Sequence, residues 1–240
     1  MTLHMIKLVP DVSRLIRWAE GQRLLDRMHE DDLGYALHAA LRAAFGDMAP
    51  QPFALVTERV RTPELLGYTT HNADALRDHA LSFADPELPS VIGLPSLAGK
   101  PMPDSFAIGR RLGFTLRARP TIRTDRDGDR TQVAERDAYR ERPPGAADDG
   151  PTRGEAYQAW LTSRLEAGGA LVERVMLERY RRSFTLRRDK SRRLRTIEGP
   201  DASFSGVLVI KGPEKFADLL AHGVGRHAAF GYGMLLLRPA

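Results

Sequence analysis

Apolar positions along the chain recur with two periods, and the switches between them mark out strands and helices. Residues 3–9 (LHMIKLV) form a short apolar run closed by Pro10 and Asp11, which predicts a first strand. Residues 12–28 place Leu15, Ile16, Trp18 or Ala19, Leu24, Leu25 and Met28 near helical spacing, with Asp11 placed to cap and Gly21 a weak point in the middle. A second helix is predicted over 33–46, with Asp31 or Asp32 as N-cap and Gly46 just past its end. Leu37, Leu41, Ala44 and Phe45 make its buried face. Residues 53–57 and 65–69 read as strands that can pair. Residues 72–83 read as a helix with Ala75, Leu76, His79 and Ala80 in phase. Proline and glycine dominate 85–103, read as loop around Val91 and Ile92.

The clearest alternation lies in 111–124. Leu112, Phe114, Leu116 and Ala118 interleave with Gly113, Thr115, Arg117 and Arg119, giving one apolar face and one arginine face, and Arg123 follows. Pro120 keeps the later part off a central ladder position. From 125 to 150 the chain is charged, poor in apolar residues, and ends near Pro143-Pro144-Gly145. It reads as a linker over 126–150 between domains at 1–125 and 151–240. Residues 152–167 make a helix with Tyr157, Trp160, Leu161 and Leu165 along one face, stopped by Gly168-Gly169. Strands are expected over 170–177, 180–186 and 203–211, then a helix over 213–222 and a closing strand over 234–237. The sum is an α+β protein of two tandem ferredoxin-like (RRM-like) domains, the second with its first strand missing or displaced.

Composition narrows the function classes. With 42% apolar residues across 240, the chain has the make-up of a soluble globular protein, and no apolar run is long enough to span a membrane. Lys7 and Pro10 interrupt any signal-peptide core, and the absence of cysteine excludes disulfides, thiolate metal sites and thiol nucleophiles. A cytoplasmic protein is expected. The net charge of +5 is modest, so clustering matters more than the total. Residues 179–195 hold nine Lys or Arg against one acid, Asp189, and include Arg187, Arg188, Lys190, Arg192, Arg193 and Arg195. A solvated face usually mixes signs, and this one does not. A basic hairpin or helix edge laid against nucleic-acid phosphate fits better.

The chemistry must come from few residues. No HExxH, no GxSxG and no acid cluster with metal-ligand spacing occurs, so no metal or cofactor is expected, and cleavage of RNA would have to proceed without metal. That route needs a base for the ribose 2′-OH, an acid for the leaving 5′-oxygen, and donors for the phosphorane charge. Tyr35 and His38 sit three apart on one face of a helix otherwise apolar or small. They are either a helix-flank pair bonded locally or an acid/base pair. His4, His29, His71 and His79 read as structural or solvated. Between helix and closing strand lies GVGRHAAFGYG, with Gly223, Gly225, Gly231 and Gly233 around Arg226 and His227. A nucleotide-cofactor loop runs from strand to helix, and this one runs the other way. It is a long connection needing glycine turns, or a backbone surface touching a ligand.

Three segments in order along the chain resemble one family. Residues 35–47 (YALHAALRAAFGD), 112–124 (LGFTLRARPTIRT) and 204–240 (FSGVLVIKGPEKFADLLAHGVGRHAAFGYGMLLLRPA) look like the CRISPR-associated repeat-cleaving endoribonucleases of the type I-E CasE kind, within the Cas-six superfamily. The resemblance implies two ferredoxin-like domains and metal-independent cleavage of CRISPR precursor RNA at the base of the repeat hairpin. Products would be a 5′-hydroxyl and a 2′,3′-cyclic phosphate. It further implies a protein, monomeric when free, that stays on the crRNA 3′ stem-loop as a subunit of the Cascade complex. Carried over by position, His38 is the principal acid/base and Tyr35 its partner. A non-catalytic ferredoxin-like RNA-binding subunit of the same complex is the alternative, and it has no need of both Tyr35 and His38. A basic ribosome-associated protein would explain the charge but not the three segments.

Overall fold

The computed structural model describes residues 2–25, 33–57, 61–126, 129–139, 150–188 and 194–240, with side chains throughout except at 124–134 and 185–195. The first half runs β1 (His4–Leu8), α1 (Val12–Gly21), α2 (Gly34–Phe45), β2 (Phe53–Val56), β3 (Glu64–Thr69), α3 (Ala73–Phe83), a short α4 (Leu88–Val91) and β4 (Ala98–Pro101). Its four strands form one antiparallel sheet in the order β2-β3-β1-β4. Ile6, Leu8 and Leu65 point to the helices and share a core with Leu15, Leu37, Leu41, Phe45 and Leu76.

Local chemistry explains the helix bounds. Asp11 caps α1 by accepting from the Arg14 amide, and Asn72 caps α3 by accepting from Ala75. α1 is shorter than expected, and residues 26–28 lie outside the described residues. The helix ends at Gly21, where Arg23 takes a left-handed φ of 55°. The Arg23 and Leu24 amides then bond to Glu20 O and Ala19 O. This Schellman arrangement turns Leu24 back onto Ala19 in the core. Residue 33, not Asp31 or Asp32, is the N-cap of α2, and the two aspartates lie outside the described residues. Gly46 ends α2 as expected. β4 was hidden in the stretch read as loop, because AGKP is an exposed edge strand without alternation.

The second half runs β5 (Arg111–Ala118), β6 (Thr121–Arg126), β7 (Asp129–Asp137), α5 (Arg153–Ala167), β8 (Ala170–Arg188), β9 (Leu194–Ile210), α6 (Pro213–His222) and β10 (Leu236–Pro239). Its sheet order, β10-β5-β9-β8, repeats that of the first sheet, so both halves are ferredoxin-like. The displaced first strand of the second domain is β5. The boundary placed at residue 125 is therefore corrected: residues 111–118 pair with β9 and β10 and belong to the second domain.

The linker reading of 126–150 is corrected too. β7 pairs with β6 in a two-stranded ribbon, which the Arg119-Pro120 break separates from β5. The ribbon is fastened to α5 by polar contacts rather than an apolar face, which is why it reads as linker. Trp160 Nε1 donates to Thr121 O (3.0 Å), and the Tyr157 hydroxyl bonds Asp137 (2.8 Å). Residues 140–149 lie outside the described residues.

The outer face of the first sheet packs on the second domain. Met5, Leu66 and the buried Tyr68 join its core, and the Tyr68 hydroxyl donates to Leu235 O (3.0 Å). No helix among the described residues is long and apolar enough to cross a membrane.

Candidate active site and nucleic-acid interface

Helix α2 buries Ala36, Leu37, Ala40, Leu41, Ala44 and Phe45, which leaves Tyr35 and His38 half-buried on its flank. The glycine loop of the second domain covers that flank. Within it Ala228–Phe230 makes a single 3-10 turn, entered through His227 at a left-handed φ of 66°. The turn sets Phe230 against three rings. Its centroid lies 5.9 Å from Tyr35, 5.6 Å edge-on from His38 and 6.0 Å from His227. The two rings of α2 therefore meet the loop at the seam between the domains. Burial, and then the Arg42 charge, lower the pKa of His38 below its usual 6.5, which favours the neutral imidazole near pH 7.

Glu135 of β7 holds the loop from the other side. Its carboxylate accepts from Thr121 Oγ1 (2.7 Å), meets His227 Nε2 through both oxygens (3.1 Å each) and pairs with Arg226 Nε (3.3 Å). Burial alone would raise its pKa. Hydrogen bonds from His227 and Thr121 and the charges of His227 and Arg226 outweigh that and bring it to about 2. A residue with positive φ and a side chain only 6% exposed is held there by its surroundings.

The loop's neck explains two of its glycines. Val224 N donates to Gly233 O (2.8 Å), and a Cβ on Gly233, at φ 80°, would stand 2.7 Å from Val224 O. Gly223 closes the same neck. Gly225 lies against the Trp160 ring, and Gly231 against Phe53. Gly231 and Gly233 are buried, so the expectation that they contact RNA is corrected: they shape the loop. Gly223, Gly225, Arg226 and His227 remain accessible in part.

The arginines divide by burial. Arg119 is 1% exposed and donates to Ser183 O (2.8 Å) and Pro200 O (3.2 Å), while Gly199 leaves room for its guanidinium. It has no surface to offer a ligand, and its assignment to an RNA face is corrected. It is a strut between β5 and the β8–β9 hairpin. Arg117 is half-buried and bidentate to Asp201 (2.9 and 2.8 Å), which Arg181 also contacts (2.8 Å). Burial pushes the Asp201 carboxyl up, and these two arginines more than offset it, so its pKa is lowered. Arg117 and Arg119 both lie over the Tyr232 ring. Arg123 is exposed on the ribbon, opposite Glu135 in register.

The described residues of the basic segment belong to one long hairpin. β8 pairs with β9 from Ala170↔Ile210 out to Arg188↔Leu194, whereas β5 leaves β9 at Ala118↔Ala202. The hairpin thus runs on beyond the sheet. Arg187 stands opposite Arg195 in the backbone register. Lys190, Arg192 and Arg193 lie outside the described residues. Among the described residues no three His, Asp or Glu side chains gather as metal ligands.

The model of a family described as CRISPR associated protein matches residues 3–239. The chain belongs to this CRISPR-associated family. Thermus thermophilus Cse3, solved with an RNA representing a pre-cleavage complex, superposes with a TM-score of 0.64 at 20% identity, over 100% of both chains. The CRISPR endoribonuclease Cse3 bound to a 19-nucleotide RNA gives 0.63 at 23% identity, again over 100% of both. A chain of a CRISPR RNA-guided surveillance complex gives 0.58 at 21%, over 99% of this chain and 100% of that one. No curated protein matches by sequence.

Sequence reasoning missed two residues that shape this CRISPR-associated site. Phe230 was one more apolar residue in a glycine-rich stretch, and Glu135 was one acid among many in the supposed linker. The signal for Phe230 was an aromatic three residues after His227 and directly before Gly231, in a stretch of small residues and turns.

Proposed function

We propose that this chain is a metal-independent endoribonuclease that cleaves CRISPR precursor RNA at the base of the repeat stem-loop. It keeps the 3′ hairpin of its product and acts in the cytoplasm as a subunit of a Cascade-type surveillance complex. The family supports the system in which it works, and the RNA-bound and complex-bound structures that share its fold support the substrate and the assembly. The observation that carries the catalytic reading is the meeting of Tyr35 and His38 with Phe230 and His227 at the domain seam.

The chemistry follows from that arrangement. Neutral His38 accepts the proton of the ribose 2′-OH as O2′ attacks the adjacent phosphorus. The P–O5′ bond breaks, leaving a 2′,3′-cyclic phosphate, and the departing oxygen takes the proton held by the His38 imidazolium to become a 5′-hydroxyl. Tyr35 orients the reacting groups from the same helix face. Cations of the loop, Arg226 first, face the charge that develops on the phosphorane. Arg187, Arg188, Lys190, Arg192, Arg193 and Arg195 supply positive charge for the phosphates of the stem. An A-form stem hides its base edges in a narrow major groove, so these contacts fall mainly on the backbone.

Repeat RNA incubated with the protein in excess EDTA tests this directly. Cleavage should persist with cyclic-phosphate ends, and a 2′-deoxy substitution at the cleaved position should stop it while leaving binding intact. Loss of cleavage in EDTA would rule the mechanism out. Tight binding without any cleavage would leave the non-catalytic alternative.

A further inference from the structure

A second cation lies at the foot of the glycine loop. Arg164 occupies the last turn of α5, one turn after Trp160, and its guanidinium stacks over the indole ring at 4.8 Å. The indole is fixed by its bond to Thr121 O (3.0 Å). Gly225 lies on the edge of the same ring, where a Cβ would come within 3.0 Å of Trp160 Cη2. The loop is thus pinned at the residue before Arg226 to the indole that carries Arg164.

The charges here do not balance. Arg164 Nε is buried and has no hydrogen-bond partner. Burial and the nearby Arg226 charge both act against its ionised form, lowering its pKa. The carboxylate within reach of Arg226 is Glu135, and it already serves Thr121 and His227. A buried donor without an acceptor, beside a like charge, is costly in the free protein. An anion bound by the two guanidinium groups offsets their like-charge repulsion.

We propose that Arg164 and Arg226 form a phosphodiester-binding site against Trp160, which grips one backbone phosphate of the bound RNA. Two planar forks, one at a helix end and one on the loop pinned beside it, suit the oxygens of a phosphoryl group. Trp160 is buried and unavailable for stacking on a base, so the site reads charge and not sequence. The identity of the ligand rests on the endoribonuclease reading, whereas the pairing of the two arginines does not.

Full-length wild-type protein, Arg164→Met and Arg164→Lys are compared for binding to a non-cleavable 2′-deoxy repeat RNA across a salt series. Methionine keeps an unbranched stem over Trp160 and removes the charge. Arg164→Met should bind about 10- to 100-fold more weakly at low salt, and its log–log salt slope should fall by about 0.7–0.9, the loss of one phosphate contact. Arg164→Lys should keep the slope and lose only part of the affinity. A scan of single methylphosphonates, each neutralising one phosphate, should find one position that weakens the wild type and leaves Arg164→Met unchanged. An unchanged affinity and slope in both variants, with only a lower melting temperature, would show Arg164 to be a strut and overturn the site. Wild-type protein that binds no repeat RNA would overturn the functional reading and this ligand with it.

Discussion

Replacing Glu135 with Gln keeps the side chain's shape and removes one negative charge from beside His227 and Arg226. The folded protein holds this carboxyl near pKa 2 against an ordinary value of 4.5. At about 1.4 kcal/mol per pKa unit, that difference corresponds to about 3 kcal/mol of stability. The sign follows from the depressed value: the contribution is fully present above about pH 4.5 and is lost as the pH falls through about 2. A Gln at this position carries none of it at any pH. For a chain of this size, about 3 kcal/mol amounts to a melting point lower by about 6–12 °C at pH 7. Gln still accepts from Thr121, so the lower end is the better expectation. Urea unfolding of both proteins at pH 7, 4 and 3 measures the gap, which should be largest at pH 7 and narrow as Glu135 protonates. A gap below about 1 kcal/mol at pH 7, or one of constant size down to pH 3, would refute the argument. Cleavage provides a second arm. If Glu135 holds the loop that carries Phe230 to His38, Glu135→Gln should slow the chemical step as well. Full-speed cleavage in a destabilised variant would separate the ion cluster from catalysis.

Three further outcomes are expected. His38→Ala should lower single-turnover cleavage by about 10²- to 10⁴-fold with RNA affinity unchanged. The acid limb of the wild-type rate profile should have its midpoint below 6.5, because burial favours the neutral ring, and a midpoint above 6.5 would contradict this. Arg119→Met leaves Ser183 O and Pro200 O without their donor, so it should cost about 3 kcal/mol in urea unfolding with no change in the RNA salt slope. Arg187→Gln with Arg195→Gln should reduce that slope by about 1–2, and an unchanged slope would count against this segment as the RNA face.

The α+β class and most of the framework were legible because the apolar periodicity is strong where elements are half-buried, as in α2, α3, α5 and β5. The errors have a common cause. β4 is exposed along its length, and the β6–β7 ribbon attaches through Thr121, Glu135 and Asp137 rather than through an apolar face. Neither leaves a hydrophobic pattern to read. The alternation in 111–124 also misassigned the arginines. It correctly placed Arg117 and Arg119 opposite the apolar face, but a residue facing away from one core can still be enclosed by another layer, as Arg119 is beneath the β8–β9 hairpin. Period reveals which side of a strand a residue occupies and not what lies on that side.

The same reasoning bears on why the candidate site resists being read from any single motif. Tyr35 and His38 alone are an ordinary polar pair on a helix flank, and the glycine loop alone is a long turn. Each gains a chemical environment from the other only because the first sheet packs its outer face on the second domain, with Tyr68 bonded to Leu235 just before β10. That contact fixes the closing strand, and the loop leads directly into it. The neck at Val224 and Gly233 sets the loop's base, Trp160 and Glu135 hold its two sides, and Phe230 is what remains to reach α2. Burial of His38 is therefore a property of the assembled pair of domains. Burial, the larger cause of its lowered pKa, comes with the seam, and the Arg42 charge on the same helix adds to it.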